Sequence, residues 1–195
     1  MGALQDIANL LIQSLFQLLL LALMLRLLLQ LVRADFYNPI SQFLVKVTSP
    51  LVNPLRRVIP GVGGIDMASV LLIILTQMLA TALLVLIRGF AIPNPLLLFI
   101  WGVLGSIGLL INIYFFAILA TIIVSWVAPG SYNPAILILH QLTEPVMKPF
   151  RNLIPPIGGL DLSPIFVFLA INVLQIVLSH LCASVGLPQA YVIGV

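Results

Sequence analysis

Residues 149–165 read PFRNLIPPIGGLDLSPI, and residues 54–70 read PLRRVIPGVGGIDMASV. The two stretches align without a gap. Pro54 falls on Pro149, Arg56 on Arg151, Ile59-Pro60 on Ile154-Pro155, Gly63-Gly64 on Gly158-Gly159 and Asp66 on Asp161. The register is a shift of 95 residues, and it persists upstream. Tyr37-Asn38-Pro39 falls on Tyr132-Asn133-Pro134, Thr48 on Thr143 and Pro50 on Pro145. A Leu/Ile-rich composition does not give coincidences at Pro, Gly, Arg and Asp in one register by chance. The chain is therefore a tandem repeat, with residues 1–92 as the first copy and 93–195 as the second.

Apolar runs flank each polar stretch and obey the same shift. Residues 4–32 match 99–127, and 67–87 match 162–182. Each run reaches the roughly 20 residues that span a hydrocarbon layer. Composition agrees: 62% of the 195 residues are hydrophobic and 7% charged, against about 25% charged in a soluble domain. The first run lacks a basic leader and is longer than the apolar core of a signal peptide, so it reads as a retained transmembrane helix. The fold class expected is an all-α membrane protein. It has four transmembrane helices as two parallel tandem repeats, each with a short amphipathic interfacial helix and a Pro/Gly-rich connector. Pro93-Asn94-Pro95 lies in the link between the halves.

Two spans per repeat return the chain to its starting side. The repeats are then parallel, and both connectors face one side. The connectors carry Arg33, Lys46, Arg56, Arg57, Lys148 and Arg151, whereas the opposite side has Arg88. The Lys/Arg bias puts the connectors in the cytoplasm and the termini outside, periplasmic in a Gram-negative cell. A net charge of +3 is a topology signal of this kind, and no nucleic-acid contact is expected.

Each connector has two parts. Asn38-Pro39 and Asn133-Pro134 are helix starts, Asn as N-cap and Pro as the first helical residue. Ile40, Phe43, Leu44 and Val47 then recur at helical spacing opposite Ser41, Gln42 and Lys46, as on a surface-lying helix. This helix is expected to stop near Ser49-Pro50 and Glu144-Pro145, because a residue before proline disfavours helix. The second part, with Pro60 and Gly63-Gly64 or Pro155 and Gly158-Gly159, must be irregular. Its turns can bring Arg56 to Asp66 and Arg151 to Asp161, ten residues apart in each case. Both aspartates stand where the next helix begins, where a carboxylate caps free N–H groups. Ser163-Pro164 offers the second copy an alternative cap. These residues either hold a corner together or line a polar niche for an ion, a lipid or a partner.

Within the spans, Arg26 lies about 9 Å from the connector end of its helix. Snorkelling accounts for it, and pairing with Asn112, Ser125 or Asn172 across the bundle is the alternative. Gln17 and Asn112 are repeat equivalents, as are Gln77 and Asn172, and facing amides would glue helices together. Gly102, Gly105 and Gly108 mark a face for close approach of a helix. His140 and His180 have Val45 and Val85 at the equivalent positions, so paired haem ligation is not supported. Cys182 stands alone and forms no intrachain disulfide. With no nucleophile elbow, phosphate loop or metal-ligand spacing, the expectation is no enzyme and no cofactor. The expected partners are the bilayer and another membrane protein or a second copy of the chain.

The doubled pattern Asn-Pro … Thr-x-Pro … Pro-x-Arg-x-x-Ile-Pro … Gly-Gly-x-Asp-x-Ser-Pro resembles the YggT family, also called YlmG. The second copy follows it through Thr143-Glu144-Pro145, Pro149, Arg151, Ile154-Pro155-Pro156, Gly158-Gly159, Asp161 and Ser163-Pro164. The first copy departs from it, with Ser49 in place of the Glu and Ala68-Ser69 in place of Ser-Pro. The family's upstream Arg and its Ser-Trp are split here between Arg26 and Ser125-Trp126, with Thr121 where a second Arg would stand. The resemblance implies a small bacterial inner-membrane protein with plastid relatives. It also implies roles in osmotic-stress tolerance with potassium uptake, or in cell division and envelope organisation. For the plastid branch it implies haem maturation of cytochrome b6 and nucleoid distribution. A scaffold or assembly factor fits these roles, and a small oligomeric potassium channel or transporter is the alternative.

Overall fold

The computed structural model describes residues 2–153 and 161–195. Within them the chain forms six α-helices, α1 (Ala3–Leu31), α2 (Pro39–Arg56), α3 (Met67–Ile87), α4 (Pro95–Val127), α5 (Pro134–Leu153) and α6 (Ser163–Ser184), with a 3-10 turn at Gln189–Tyr191. Four of them, α1, α3, α4 and α6, are long and apolar enough to cross a membrane. At 1.5 Å per residue α4 is about 50 Å long, so it overhangs a hydrocarbon core of about 30 Å. Two spans with one amphipathic helix between them recur in the same order in each repeat, as the 95-residue register requires.

Helix starts follow local chemistry. Asn38 Oδ1 accepts from Ile40 N at 2.9 Å and Asn94 Oδ1 from Leu97 N at 2.8 Å, each ahead of a proline in the first turn. Such a cap contributes about 1 kcal/mol. Asn133 does the same for Ala135 N at 2.9 Å.

The expected stop before Pro50 and Pro145 is not seen. Helix α2 runs on through Pro50 and Pro54, and α5 through Pro145 and Pro149. All four prolines lie on exposed faces. The carbonyls that lose a partner are four residues earlier on the same faces, where water or headgroups can solvate them, so the helix continues. The i, i+4 spacing of each proline pair keeps both on one side of the helix.

The spans pack α1 on α3, α3 on α4 and α4 on α6. Leu20, Leu23 and Leu27 of α1, Ile73 and Ala80 of α3, and Leu109 and Ile113 of α4 form the core of the first half. Ile111 and Ile118 of α4 with Val167, Ile171 and Leu178 of α6 form that of the second. Helices α2 and α5 pack beneath their own repeats and touch each other. Asn38 Nδ2 donates to Pro134 O at 2.8 Å and Asp35 N to Gln141 Oε1 at 3.1 Å, joining the repeats on the connector side.

After α6 the chain reverses at Gly186, whose φ of 61° suits glycine. The last residues then run back among the helices, with Leu187, Val192 and Ile193 buried. Non-helical backbone at this depth is tolerated because protein surrounds it. Gln77 Nε2 donates to Ile193 O at 2.6 Å and Asn112 Nδ2 to Gly194 O at 3.1 Å.

Candidate functional site

In the first repeat, α2 ends at Arg56 and the chain crosses to α3 through a tight hairpin. Val62 and Ile65 exchange backbone bonds of 3.1 and 3.0 Å. Gly63 and Gly64 between them have φ of 60° and 84°. Two left-handed residues in a two-residue turn are what Gly-Gly supplies. The turn sets Asp66 at the N-cap of α3, facing Arg56. Arg56 Nε and Nη2 both donate to Asp66 Oδ2, at 3.0 and 2.5 Å, and Nη2 also reaches Gln30 Oε1 at 3.2 Å. Ser69 Oγ donates to the same carboxylate oxygen.

Asp66 is 5% exposed. Burial alone would raise its pKa. The hydrogen bonds from Arg56 and Ser69 outweigh that and hold the carboxyl below the usual aspartate value. The carboxylate sits at the positive end of α3, where Arg56 and Ser69 hold it.

The second repeat builds a looser corner. Arg151 Nε meets Asp161 Oδ2 at 3.0 Å and Nη1 meets Glu144 Oε2 at 2.7 Å, with all three side chains exposed. Exposed pairs of this kind contribute about 0–1 kcal/mol each. Asp161 Oδ1 accepts from Ser163 N at 2.9 Å and Ser163 Oγ at 2.5 Å. Partial burial pushes the Asp161 carboxyl up, and the Ser163 and Arg151 hydrogen bonds bring it below its ordinary value. Ser163 is the first helical residue and Pro164 the second, with Leu162 as N-cap, so the expected Ser163 cap and Pro164 first position are each displaced by one residue. Proline in a first turn still loses no helical bond. Pro155, Gly158 and Gly159 lie outside the described residues.

Arg26 takes neither of the routes expected for it. It is 6% exposed, so it does not snorkel into solvent. Nor does it reach Asn112, Ser125 or Asn172. Its Nη1 donates to Thr48 Oγ1 at 2.8 Å and Ser49 Oγ at 3.4 Å, on its own repeat's α2. Those acceptors are in place because α2 continues helical past Thr48. Thr48 Oγ1 donates in turn to Leu44 O at 2.5 Å. In the second repeat Thr121 replaces Arg26, and its hydroxyl lies 3.4 Å from Thr143 Oγ1.

The repeats thus differ in charge. The first corner gathers Arg26, Arg56 and Asp66; the second gathers Arg151, Glu144 and Asp161. One has a cation in excess and the other an anion.

Among the described residues no hydrogen bond joins the equivalent amides Gln17 and Asn112 or Gln77 and Asn172, although Gln17 and Asn112 line one hollow. Gln77 and Asn112 hold the C-terminal segment, Gln175 Nε2 donates to Asn112 Oδ1 at 3.2 Å, and Asn172 Nδ2 bonds Phe168 O of its own helix at 2.8 Å. Of the three glycines, Gly102 faces Ile74 and Met78 of α3, as expected for close helix packing. Gly105 faces Gln77 of α3 as well as Val192 of the C-terminal segment, and Gly108 receives Gly194. His140 lies on α5 and His180 on α6, where its Nδ1 is 2.8 Å from Ile176 O. Sequence reasoning missed Gln30, Ser69 and Gln141. Their signal was a polar residue within one turn of a charged or capping one.

These features define a polytopic membrane protein made of two fused two-span units, each closed by an Arg–Asp corner on the connector side. The family model described as CCB3/YggT matches residues 5–87 and again 100–182. The chain belongs to the CCB3/YggT family. It is 49% identical over 180 residues to an uncharacterized protein of Pseudomonas aeruginosa, covering 91% of each chain. It is 37% identical over 176 residues to the uncharacterized protein YggT of Escherichia coli K12, covering 90% of this chain and 91% of that one. A YlmG homolog protein 2, chloroplastic, of Arabidopsis thaliana is 38% identical over 89 residues, 44% of this chain and 30% of that one. No solved structure matches.

Proposed function

We propose that the chain is a non-enzymatic scaffold or assembly factor of the bacterial inner membrane, with its paired connectors as the working surface on the cytoplasmic side. The observation that carries this reading is the direct junction of α2 and α5. Asn38 Nδ2 and Pro134 O at 2.8 Å fuse the two amphipathic helices into one platform. Its rim carries the exposed aromatics Phe36, Tyr37, Phe43 and Tyr132, residue types that settle at the membrane–water boundary. Arg33, Lys46, Arg56, Arg57, Lys148 and Arg151 give it the positive charge that favours the cytoplasm. Work in osmotic-stress tolerance, or in division and envelope organisation, is the context the resemblance suggests.

The alternative is an oligomeric potassium channel or transporter. The interior between α1, α3 and α4 is filled by Leu20, Leu23, Ile73, Ala80 and Leu109, which supports the scaffold reading. Reconstitution into liposomes tests it. The expected result is potassium and sodium flux equal to empty liposomes, with a partner crosslinked through the connectors in cells. A flux abolished by Asp66→Ala or Asp161→Ala would sink the scaffold.

A further inference from the structure

The first-repeat corner encloses more than an ion pair. A cavity of about 620 Å³ opens where α1, α2 and the hairpin meet. Arg26, Gln30, Ser41, Arg56 and Asp66 supply its polar wall, and Leu29, Leu44 and Ile59 are among its apolar lining. We propose that this cavity binds an oxyanion of the phosphate-ester class.

Charge comes first. Two guanidiniums face one carboxylate, and that carboxylate is already held by Arg56 and Ser69. Among the described residues no carboxylate lies within ion-pair distance of Arg26. Its described hydrogen bonds use only Nη1, whereas a guanidinium carries five N–H donors in a planar fork. A buried cation with neutral partners alone is costly. A bound oxyanion would repay that cost and use the remaining fork.

The second observation is independent of charge. Ser41 is 6% exposed, and its Oγ is buried without a hydrogen-bond partner on the wall of the same cavity. Buried hydroxyls are normally satisfied. A ligand oxygen in the cavity would satisfy this one.

The second repeat shows that the fold does not require these groups. A hollow of about 420 Å³ occupies the equivalent place, lined by Val124, Ser125, Ile136 and His140 where the first has Leu29, Gln30, Ser41 and Val45. Thr121 and Glu144 stand for Arg26 and Ser49. Arg26 and Ser41 are thus particular to the first repeat, whereas Arg56 has Arg151 as its counterpart.

Depth points to where the anion comes from. Arg26 lies five residues before the end of α1, or about 8 Å along the axis. With the connector end of α1 at the membrane–water boundary, that depth falls at the inner edge of the headgroup layer, within reach of a lipid phosphate, and Leu29, Leu44 and Ile59 would meet the glycerol and upper chain. A free phosphate ester has the same chemistry.

The test uses the full chain in detergent. Native mass spectrometry with added phosphatidylglycerol or diacylglycerol, which lacks the phosphate, reads the lipid arm, and calorimetry with inorganic phosphate reads the free-anion arm. The expected result is retention of phosphatidylglycerol over diacylglycerol by about tenfold or more, lost in Arg26→Gln and weakened severalfold in Ser41→Ala. Lys148→Gln, an exposed charge on α5, should bind as the wild type does. Phosphate heat that shares the Arg26 and Ser41 dependence, without lipid retention, assigns the site to a free anion. Absence of both signals in the wild type overturns the proposal. So does unchanged binding in Ser41→Ala, a substitution small enough to fold if Arg26→Gln does not. Equal loss in Lys148→Gln also overturns it, since binding would then follow surface charge.

Discussion

Arg26 of the first repeat and Thr121 of the second stand at one structural position, and each meets the threonine of its own interfacial helix. Arg26 Nη1 donates to Thr48 Oγ1 at 2.8 Å, and Thr121 Oγ1 lies 3.4 Å from Thr143 Oγ1. The same contact between span and platform is therefore charged in one half and neutral in the other.

That difference predicts unequal costs for one substitution. Thr48→Val removes the nearer acceptor of a buried guanidinium and should cost about 1–3 kcal/mol, the range for a bond to a charged group. Thr143→Val removes a long contact between hydroxyls and should cost no more than about 1 kcal/mol. Unfolding of each variant in detergent measures the gap. Equal losses would show that Arg26 does not depend on Thr48.

Acid should loosen the corners. Asp66 and Asp161 are both held below the ordinary aspartate value by their hydrogen bonds. The unfolded chain then takes up protons at a higher pH than the folded chain does. Their contribution is complete above the unfolded value of about 3.9 and is lost as pH falls through the lower folded values. Apparent melting temperature should be level between about pH 7 and 5 and drop below about pH 4. Asp66→Asn should lower it at neutral pH and flatten the acid limb. A melting temperature that rises on acidification from pH 5 to 3 would overturn the assignment.

The hairpin is a backbone requirement. Gly64 has φ of 84° with open space around its α-carbon, so a substitution there is strained without any clash. Gly64→Val should cost about 1–2 kcal/mol, and Gly64→Asn less, because asparagine tolerates the left-handed region. Thermal unfolding of the two variants side by side checks the order. Asn and Val costing the same would mean that the turn is not what holds Arg56 against Asp66.

Much of this was legible because the chain repeats itself without a gap. The register located four spans and both capped interfacial helices, and it paired Arg56 with Asp66 and Arg151 with Asp161. What it could not supply was the path of α2 and α5 through their prolines. Local preference says stop at Ser49, but solvated exposed carbonyls let the helix go on, and that continuation makes Arg56 the last residue of α2. Polar amides within the spans were also visible, but the partners of Gln77 and Asn112 were carbonyls of a C-terminal segment that has no counterpart in the first repeat. Periodicity has no way to anticipate a non-repeated segment.

That segment yields the last prediction. Any Cβ at Gly108 would collide with Gly194 O, a backbone atom that cannot swing aside. Gly108→Leu should therefore expel the tail from its slot, while α4 keeps its helix. Gly102→Ala is the control, because its nearest obstacles, Met78 Cγ at 3.1 Å and Ile74 O at 3.3 Å, belong to α3 and not to the tail. Ile193 is 4% exposed, so in a Cys182→Ala background Ile193→Cys should react slowly with a maleimide. Adding Gly108→Leu should speed that labelling by about tenfold or more, as expected when a locally stable segment is opened. Adding Gly102→Ala should leave it unchanged. Slow labelling in the Gly108→Leu protein would mean that the tail is held by Gln77 and its apolar contacts alone, and that the glycine face serves another purpose.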